Sequence, residues 1–99
     1  GVVAEGAPTM DCSWQQGRII TTETADTIAD GIGVRIPVPE ALDLMQTTVD
    51  EILQVSDTAT LAAMKQIHRL AGIVVEPAGA VHKEEEVQQF GRFTATVCE

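Results

Sequence analysis

The sequence predicts an α/β fold: a short three-layer arrangement in which about three parallel strands are covered by flanking helices. Three observations carry this expectation. Residues 2–5, 51–55 and 93–98 are short apolar or β-branched runs, the pattern of parallel strands buried on both faces. Helical segments separate the three runs, so the strands are joined by right-handed crossovers. Gly6, Pro8, Gly17, Gly72 and Pro77 stand where those segments should start or stop. Three strands are few for such a sheet, and a sheet edge and an apolar face are left bare. The simplest cover is a second copy, so a homo-oligomer, in its smallest form a homodimer, is expected.

Each element follows from local chemistry. Residues 2–5 form the first strand, ended by Gly6 and Pro8. Thr9 is placed to cap a helix to about Gln16, with Met10, Cys12 and Trp14 on its apolar side and Gly17 closing it. Residues 18–22 read as a linker or edge strand. Residues 24–32, with their small side chains, Asp26, Asp30 and closing glycines, read as a short, tightly packed helix. Pro37 and Pro39 fix an extended segment. Glu40 then opens a helix to about Thr48, with Ala41, Leu42, Leu44 and Met45 inward. After the strand at 51–55, Ser56 or Asp57 caps a helix carrying Leu61, Met64, Ile67, Leu70 and Ala71 at helical spacing. Gly72 ends that helix, and His68 on it reads as a surface or half-buried side chain. Residues 83–86 continue a further helix or a solvated turn, Gly91 breaks it, and 93–98 is the third strand. No internal repeat or low-complexity segment interrupts this order.

Composition bounds the function. Ninety-nine residues make at most one domain with a modest core. Six Lys plus Arg against fifteen Asp plus Glu leave a formal charge of −9, which argues against nucleic acid or an anionic membrane surface as partner. One Trp, two Phe and no Tyr offer no platform for stacking bases. No apolar run reaches the length of a membrane span, and no signal-peptide pattern opens the chain. Cys12 and Cys98 form no CxxC pair. A bridge between them is open in principle, but the expectation is a reduced, cytoplasmic protein. The chain enters its first strand at once, without an initiator Met, as at an artificial boundary or in a protein whose natural start lies elsewhere.

Residues 72–80 are the stretch around which the chain is organised. Ile73, Val74 and Val75 make an apolar link, Glu76 stands at the turn, and Pro77 suits the first position of a new helix. Ala78, Gly79 and Ala80 keep that helix's first turn free of bulk. Bare backbone N–H groups at a helix N-terminus attract anions and polar ligands. A plainer reading stands beside this one: a carboxylate at a helix start, with small residues for close packing.

Four stretches together resemble a known family. They are Thr27-Ile28-Ala29-Asp30-Gly31, Val34-Arg35-Ile36-Pro37-Val38-Pro39-Glu40-Ala41-Leu42, Val55-Ser56-Asp57 and Val75-Glu76-Pro77-Ala78-Gly79-Ala80. Their order and approximate spacing are similar to those of the threonine dehydratase (threonine ammonia-lyase) and serine racemase-like family of fold-type-II pyridoxal-phosphate enzymes. The part resembled is the C-terminal portion of the large domain, strongest over residues 2–81, weaker from His82 and resumed at 94–98. The resemblance implies that residues 1–99 are a single partial α/β domain. It implies that Gly31 lines the cofactor ring with its backbone and that Glu76 is the carboxylate beside the ring. Cys98 is the counterpart of a Ser, Thr or Cys that hydrogen-bonds the pyridine nitrogen, tuning the ring's electron withdrawal. Glu5, the carbonyl of Thr9 and Asp11 resemble a divalent-cation site of some members, where oxygen ligands suit Mg²⁺ or Ca²⁺. On pattern alone, Glu5 and Asp11 are a strand-end acid and a helix-start acid, and Cys98 is a buried strand thiol. Asp26 and Asp30 read as caps and solvated charges, since no His or nucleophile accompanies them. His82 and the acids at 84–86 read as solvated.

Two parts of the family's machinery have no counterpart. The chemistry needs a Schiff-base lysine and a glycine-rich loop for the phosphate. The only lysines are Lys65, mid-helix, and Lys83, in an acidic run. Neither follows a Ser-x pattern, and the chain reaches Glu99 where the family continues with glycines. No catalytic residue is therefore assigned. The expected function is that of a truncated threonine dehydratase-like domain, non-catalytic alone and without bound pyridoxal phosphate, acting as a self-associating or interaction module. The alternative is part of a pyridoxal-phosphate-dependent ammonia-lyase for L-threonine or L-serine, active only with the missing catalytic half as partner. A metal-binding module built on Glu5 and Asp11 is the third reading.

Overall fold

The computed structural model of the chain describes residues 1–90, with side chains through residue 83. Among them two short strands, β1 (Val2–Ala4) and β2 (Leu53–Val55), pair in parallel, with Val2 opposite Leu53, Val3 opposite Gln54 and Ala4 opposite Val55. Side chains alternate across a strand, so Val2, Ala4, Leu53 and Val55 share one face; Ala4, Leu53 and Val55 are buried. Between the strands lie α1 (Thr9–Gln16), a 3-10 turn at Asp30–Ile32 and α2 (Pro39–Thr48). After β2 come α3 (Asp57–Ala71) and α4 (Pro77–Phe90). Helix α4 packs on α3, on both strands and on the 3-10 turn. Its Ala80 and Val81 are buried with the strand residues, and this is where the core sits. No helix among the described residues is long and apolar enough to cross a membrane.

The helix stops are those the glycines imply. Gly17 and Gly72 adopt left-handed backbone at φ 69° and 66°, a conformation that costs side-chain-bearing residues steric strain. The Gly72 N–H donates to the His68 carbonyl at 2.9 Å, tying off the last turn of α3. Pro39 and Pro77 each stand at the first position of a helix, where a missing N–H and a fixed φ are tolerated. Two side-chain bonds join α1 to α2: Trp14 Nε1 donates to the Met45 carbonyl at 3.2 Å, and Gln46 Nε2 donates to the Trp14 carbonyl at 2.9 Å.

Several expectations are corrected. Thr9 does not cap α1; Pro8 holds that position without a side-chain cap, and the buried Thr9 hydroxyl donates to the Val34 carbonyl. Residues 24–32 do not form a helix beyond the 3-10 turn, because tertiary partners hold the backbone on another path. Asp26 N–H donates to the Gly6 carbonyl and Ile28 N–H to the Asp57 carboxylate. Residues 18–22, read as a linker or edge strand, are a linker: the Thr22 N–H reaches the Arg35 carbonyl at 3.1 Å and no strand forms. Leu44, expected inward, is 64% exposed, and on α3 Leu70 is 75% exposed while Thr60 and Ala63 are buried. The buried side of α3 is thus its small-residue side. Cys12, expected as a reduced thiol, is not a free cysteine in the structure. The expected third strand at 93–98, the break at Gly91 and Cys98 itself lie outside the described residues.

Candidate functional site

In open α/β sheets, ligands gather beyond the carboxyl ends of parallel strands. Here one irregular segment, 26–33, is tied to both strand ends. At the end of β1 the Asp26 N–H donates to the Gly6 carbonyl at 3.0 Å. A Cβ on Gly6 would stand 1.8 Å from the Asp26 carbonyl oxygen, so this approach requires glycine. At the end of β2 the Ser56 hydroxyl accepts from the Ala59 N–H at 3.1 Å and caps α3. The cap leaves the Asp57 carboxylate available to the segment. Asp57 Oδ1 accepts from the Thr27 hydroxyl at 2.6 Å and Oδ2 from the Ile28 N–H at 3.1 Å. The same Thr27 hydroxyl oxygen accepts from the Ala29 N–H at 3.1 Å, using both donor and acceptor capacity. Ala29, 1% exposed, then accepts from the Ile32 N–H at 3.0 Å. This bonded chain sets the 3-10 turn that carries Gly31.

Gly31 meets the start of α4. A Cβ built on it would lie 3.2 Å from the Cβ of Ala78. Glu76 and Pro77 open that helix, and the Gly79 N–H donates to the Glu76 carbonyl at 3.0 Å. Gly31, Glu76 and Gly79 are all exposed. The structure therefore brings together Gly31 and Glu76-Pro77-Ala78-Gly79, two stretches singled out separately in the sequence, as one ledge of bare backbone with a carboxylate beside it. A cavity of about 290 Å³ adjoins Gly31, lined among others by Val3, Met10, Ile32, Val34 and Met45. Among the described residues, no charged side chain lines it.

The remaining candidates sit elsewhere. Asp11 is 2% exposed, and both of its oxygens are engaged: Oδ1 accepts from Gln15 Nε2 at 2.9 Å and Oδ2 from Gln54 Nε2 at 2.7 Å. Glu5 is exposed at the end of β1, and Thr9, whose carbonyl is the expected ligand, is buried on the first turn of α1. Among the described residues, no group of three or more His, Cys, Asp or Glu side chains could hold a metal ion. Lys65 is exposed on α3, beside a separate apolar cavity of about 280 Å³ with Met64, His68, Val74 and Val75. Neither Lys65 nor Lys83 lines the cavity at Gly31. Asp26 and Asp30 share no helix face, since no helix forms there.

Two relationships were not legible in the sequence: the Thr27–Asp57 pair and the Gly6–Asp26 approach. The only sequence signal for the first was that Ser56 and Asp57 are both cap-type residues and one cap needs only one of them.

Comparison with known proteins places this geometry in context. A family model described as "Pyridoxal-phosphate dependent enzyme" matches residues 1–82. A biosynthetic L-threonine dehydratase of Lactococcus lactis is 34% identical over 80 residues, which are 81% of this chain and 19% of that protein. An L-threonine ammonia-lyase of Thermotoga maritima is 36% identical over 81 residues, 82% of this chain and 20% of that protein. The chain thus spans about a fifth of the length of these curated relatives. Among solved structures, a threonine deaminase from the organism abbreviated T.th. superposes with a TM-score of 0.85 at 30% identity, covering 95% of this chain and 35% of that one. Maize serine racemase gives a TM-score of 0.83 at 30% identity, covering 94% and 28%. These neighbours agree with an α/β segment of a larger enzyme.

Proposed function

Because the chain belongs to the pyridoxal-phosphate dependent enzyme family, we propose that its residues form one wall of a cofactor site in an ammonia-lyase acting on L-threonine or L-serine, and that this polypeptide alone is non-catalytic. The observation that carries the reading is the contact of Gly31 with Ala78, 3.2 Å from a built Cβ. Ala78 fills the space where a Gly31 side chain would stand, and the exposed remainder of Gly31 is backbone against which a flat ring can lie, with Glu76, two residues before Ala78, as the nearby carboxylate. When bound, the cofactor supplies an electron sink for carbanion chemistry on the amino acid. The part of this chain is to orient: Gly31 admits the ring, and the N-terminal end of α4 favours polar or anionic groups through its helix dipole. The role of Cys98 toward the pyridine nitrogen belongs to the same proposal.

The chain's own residues fit one wall and not the whole site. Neither lysine lines the cavity at Gly31, and no charged side chain among the described residues there would hold a phosphate. A partner polypeptide carrying the lysine and the phosphate loop would complete the site. The test is to add pyridoxal phosphate to the purified chain, reduce with borohydride, and weigh the product while assaying ammonia release from L-threonine. No stoichiometric adduct at a single lysine and no ammonia are expected. A specific adduct with threonine deamination would overturn the non-catalytic reading.

A second reading, self-association as an interaction module, draws on the apolar side chains left outward. Leu61, Leu70, Ile73 and Val74 are 46%, 75%, 53% and 85% exposed, and apolar surface of that kind favours association. Size-exclusion chromatography with light scattering tests it. A dimer at micromolar concentration is expected on this reading, and a clean monomer would remove it.

A further inference from the structure

Segment 26–33 lacks regular structure except at its 3-10 turn, yet it carries the glycine on which the proposed site depends. Something other than a helix or sheet ladder must hold it. Beyond the bond from the Asp26 N–H to the Gly6 carbonyl at its start, the bonds that do so converge on one side chain. The Asp57 carboxylate accepts from the Thr27 hydroxyl at 2.6 Å and from the Ile28 N–H at 3.1 Å. Thr27 passes the restraint to Ala29 through the 3.1 Å bond from the Ala29 N–H. Ala29 passes it to the turn through the 3.0 Å bond from the Ile32 N–H to the Ala29 carbonyl. Gly31 lies inside that turn, against Ala78.

Asp57 is well chosen as the anchor. It is the first residue of α3, separated from the end of β2 only by Ser56, which already satisfies the helix cap. Its backbone is therefore fixed by strand and helix together, and its carboxylate sits in the favourable field of the helix N-terminus. Hydrogen bonds to an ionised acceptor are stronger than neutral ones. Serine at 56 with aspartate at 57 divides two tasks between two cap-type residues: one closes the helix, the other holds the loop.

We infer that Asp57, acting through Thr27, is the positioning residue that holds Gly31 against the start of α4 and so shapes the cofactor-facing wall. This inference rests on the proposed function for its consequence, though the clamp itself does not. Asp57 touches neither cofactor nor substrate in this role; it acts through the segment. Without it, the 3-10 turn would keep its own short-range bonds, such as Ile32 to Ala29 and Gly33 to Asp30, and the upstream tie from the Asp26 N–H to the Gly6 carbonyl, but would lose the bonds that seat Gly31 against Ala78.

The test uses the whole 99-residue chain, labelled for amide NMR, with two variants, Asp57→Ala and Thr27→Val, and Thr27→Ser as the conservative rescue. Amide exchange is followed at Ile28, Ala29 and Val55, and the approach of Gly31 to Ala78 is followed by the nuclear Overhauser effect between the Gly31 Hα protons and the Ala78 methyl. In both disabling variants, protection at Ile28 or Ala29 should fall by at least about tenfold. Protection at Val55, in the core strand, should hold. The Gly31–Ala78 Overhauser contact should weaken in the same variants and return in Thr27→Ser. Unchanged protection at Ile28 and Ala29 in both variants would overturn the clamp. A full-strength Gly31–Ala78 contact despite lost protection would overturn the positioning role. The proposed function is judged separately, by the borohydride reduction and ammonia assay, so its failure leaves the exchange data and the Gly31–Ala78 contact to judge the clamp on their own.

Discussion

Gly31 and Ala78, from opposite halves of the chain, come so close that a Cβ on Gly31 would stand 3.2 Å from the Cβ of Ala78. Ala78 is fixed on the first turn of α4, so the strain of an added methyl cannot be relieved by rotating a flexible side chain. Gly79, one residue on, is in a different position: a Cβ there meets only the Glu76 Cγ at 3.9 Å, an ordinary contact. Gly31→Ala should lower unfolding free energy by about 1 kcal/mol. Gly79→Ala should raise it by about 0.5 kcal/mol, because alanine is the better helix former. Urea unfolding of the two variants, read by circular dichroism, should show opposite signs.

Gly6→Ala should be the more damaging glycine substitution. Its Cβ would stand 1.8 Å from a backbone carbonyl oxygen, that of Asp26, and backbone cannot step aside as a side chain can. The expected loss is about 2–3 kcal/mol, the upper range for overpacking. The Asp26 amide, which donates to the Gly6 carbonyl, should lose exchange protection in the same variant. A melting temperature unchanged from that of the unaltered chain would contradict the close approach.

Asp11→Ala should cost about 1–3 kcal/mol, since it strands a donor. Gln54 Nε2 loses its partner, and Gln54 Oε1 is already a buried acceptor without one. The same pairing speaks to the cation reading of Glu5, Thr9 and Asp11. With both Asp11 oxygens accepting amide N–H groups, added Mg²⁺ or Ca²⁺ should leave the melting temperature unchanged. A concentration-dependent rise would show that a cation displaces the glutamine amides.

Leucines at two positions should behave oppositely, against their similar look in the sequence. Leu53, 2% exposed between β1 and α4, should cost about 2–5 kcal/mol when changed to alanine. Leu70, 75% exposed on α3, should change stability by no more than about 0.5 kcal/mol. Thermal melts of the isolated chain compare them directly; equal losses would mean that the outward face of α3 is covered in solution.

Features that depend on neighbours along the chain were readable before any packing was known. The strand at β1, the helix stops at Gly17 and Gly72, and the helix starts at Pro39 and Pro77 follow from backbone restrictions that each residue carries with it. The motifs at 27–31 and 75–80 were equally legible, and so was the family they resemble. Tertiary structure decided which of several competent partners each polar group took. Thr9 looked like a cap and instead bonds Val34; residues 24–32 looked helical and instead bond Gly6 and Asp57; Leu70 fitted a helical stripe and faces outward. In each case the local preference is worth about 1 kcal/mol or less, and a buried hydrogen bond or a close-packed face of small residues outweighs it. The site was decided in the same way: its residues were visible one by one, but only the packing of α4 on the 3-10 turn placed Gly31 against Ala78.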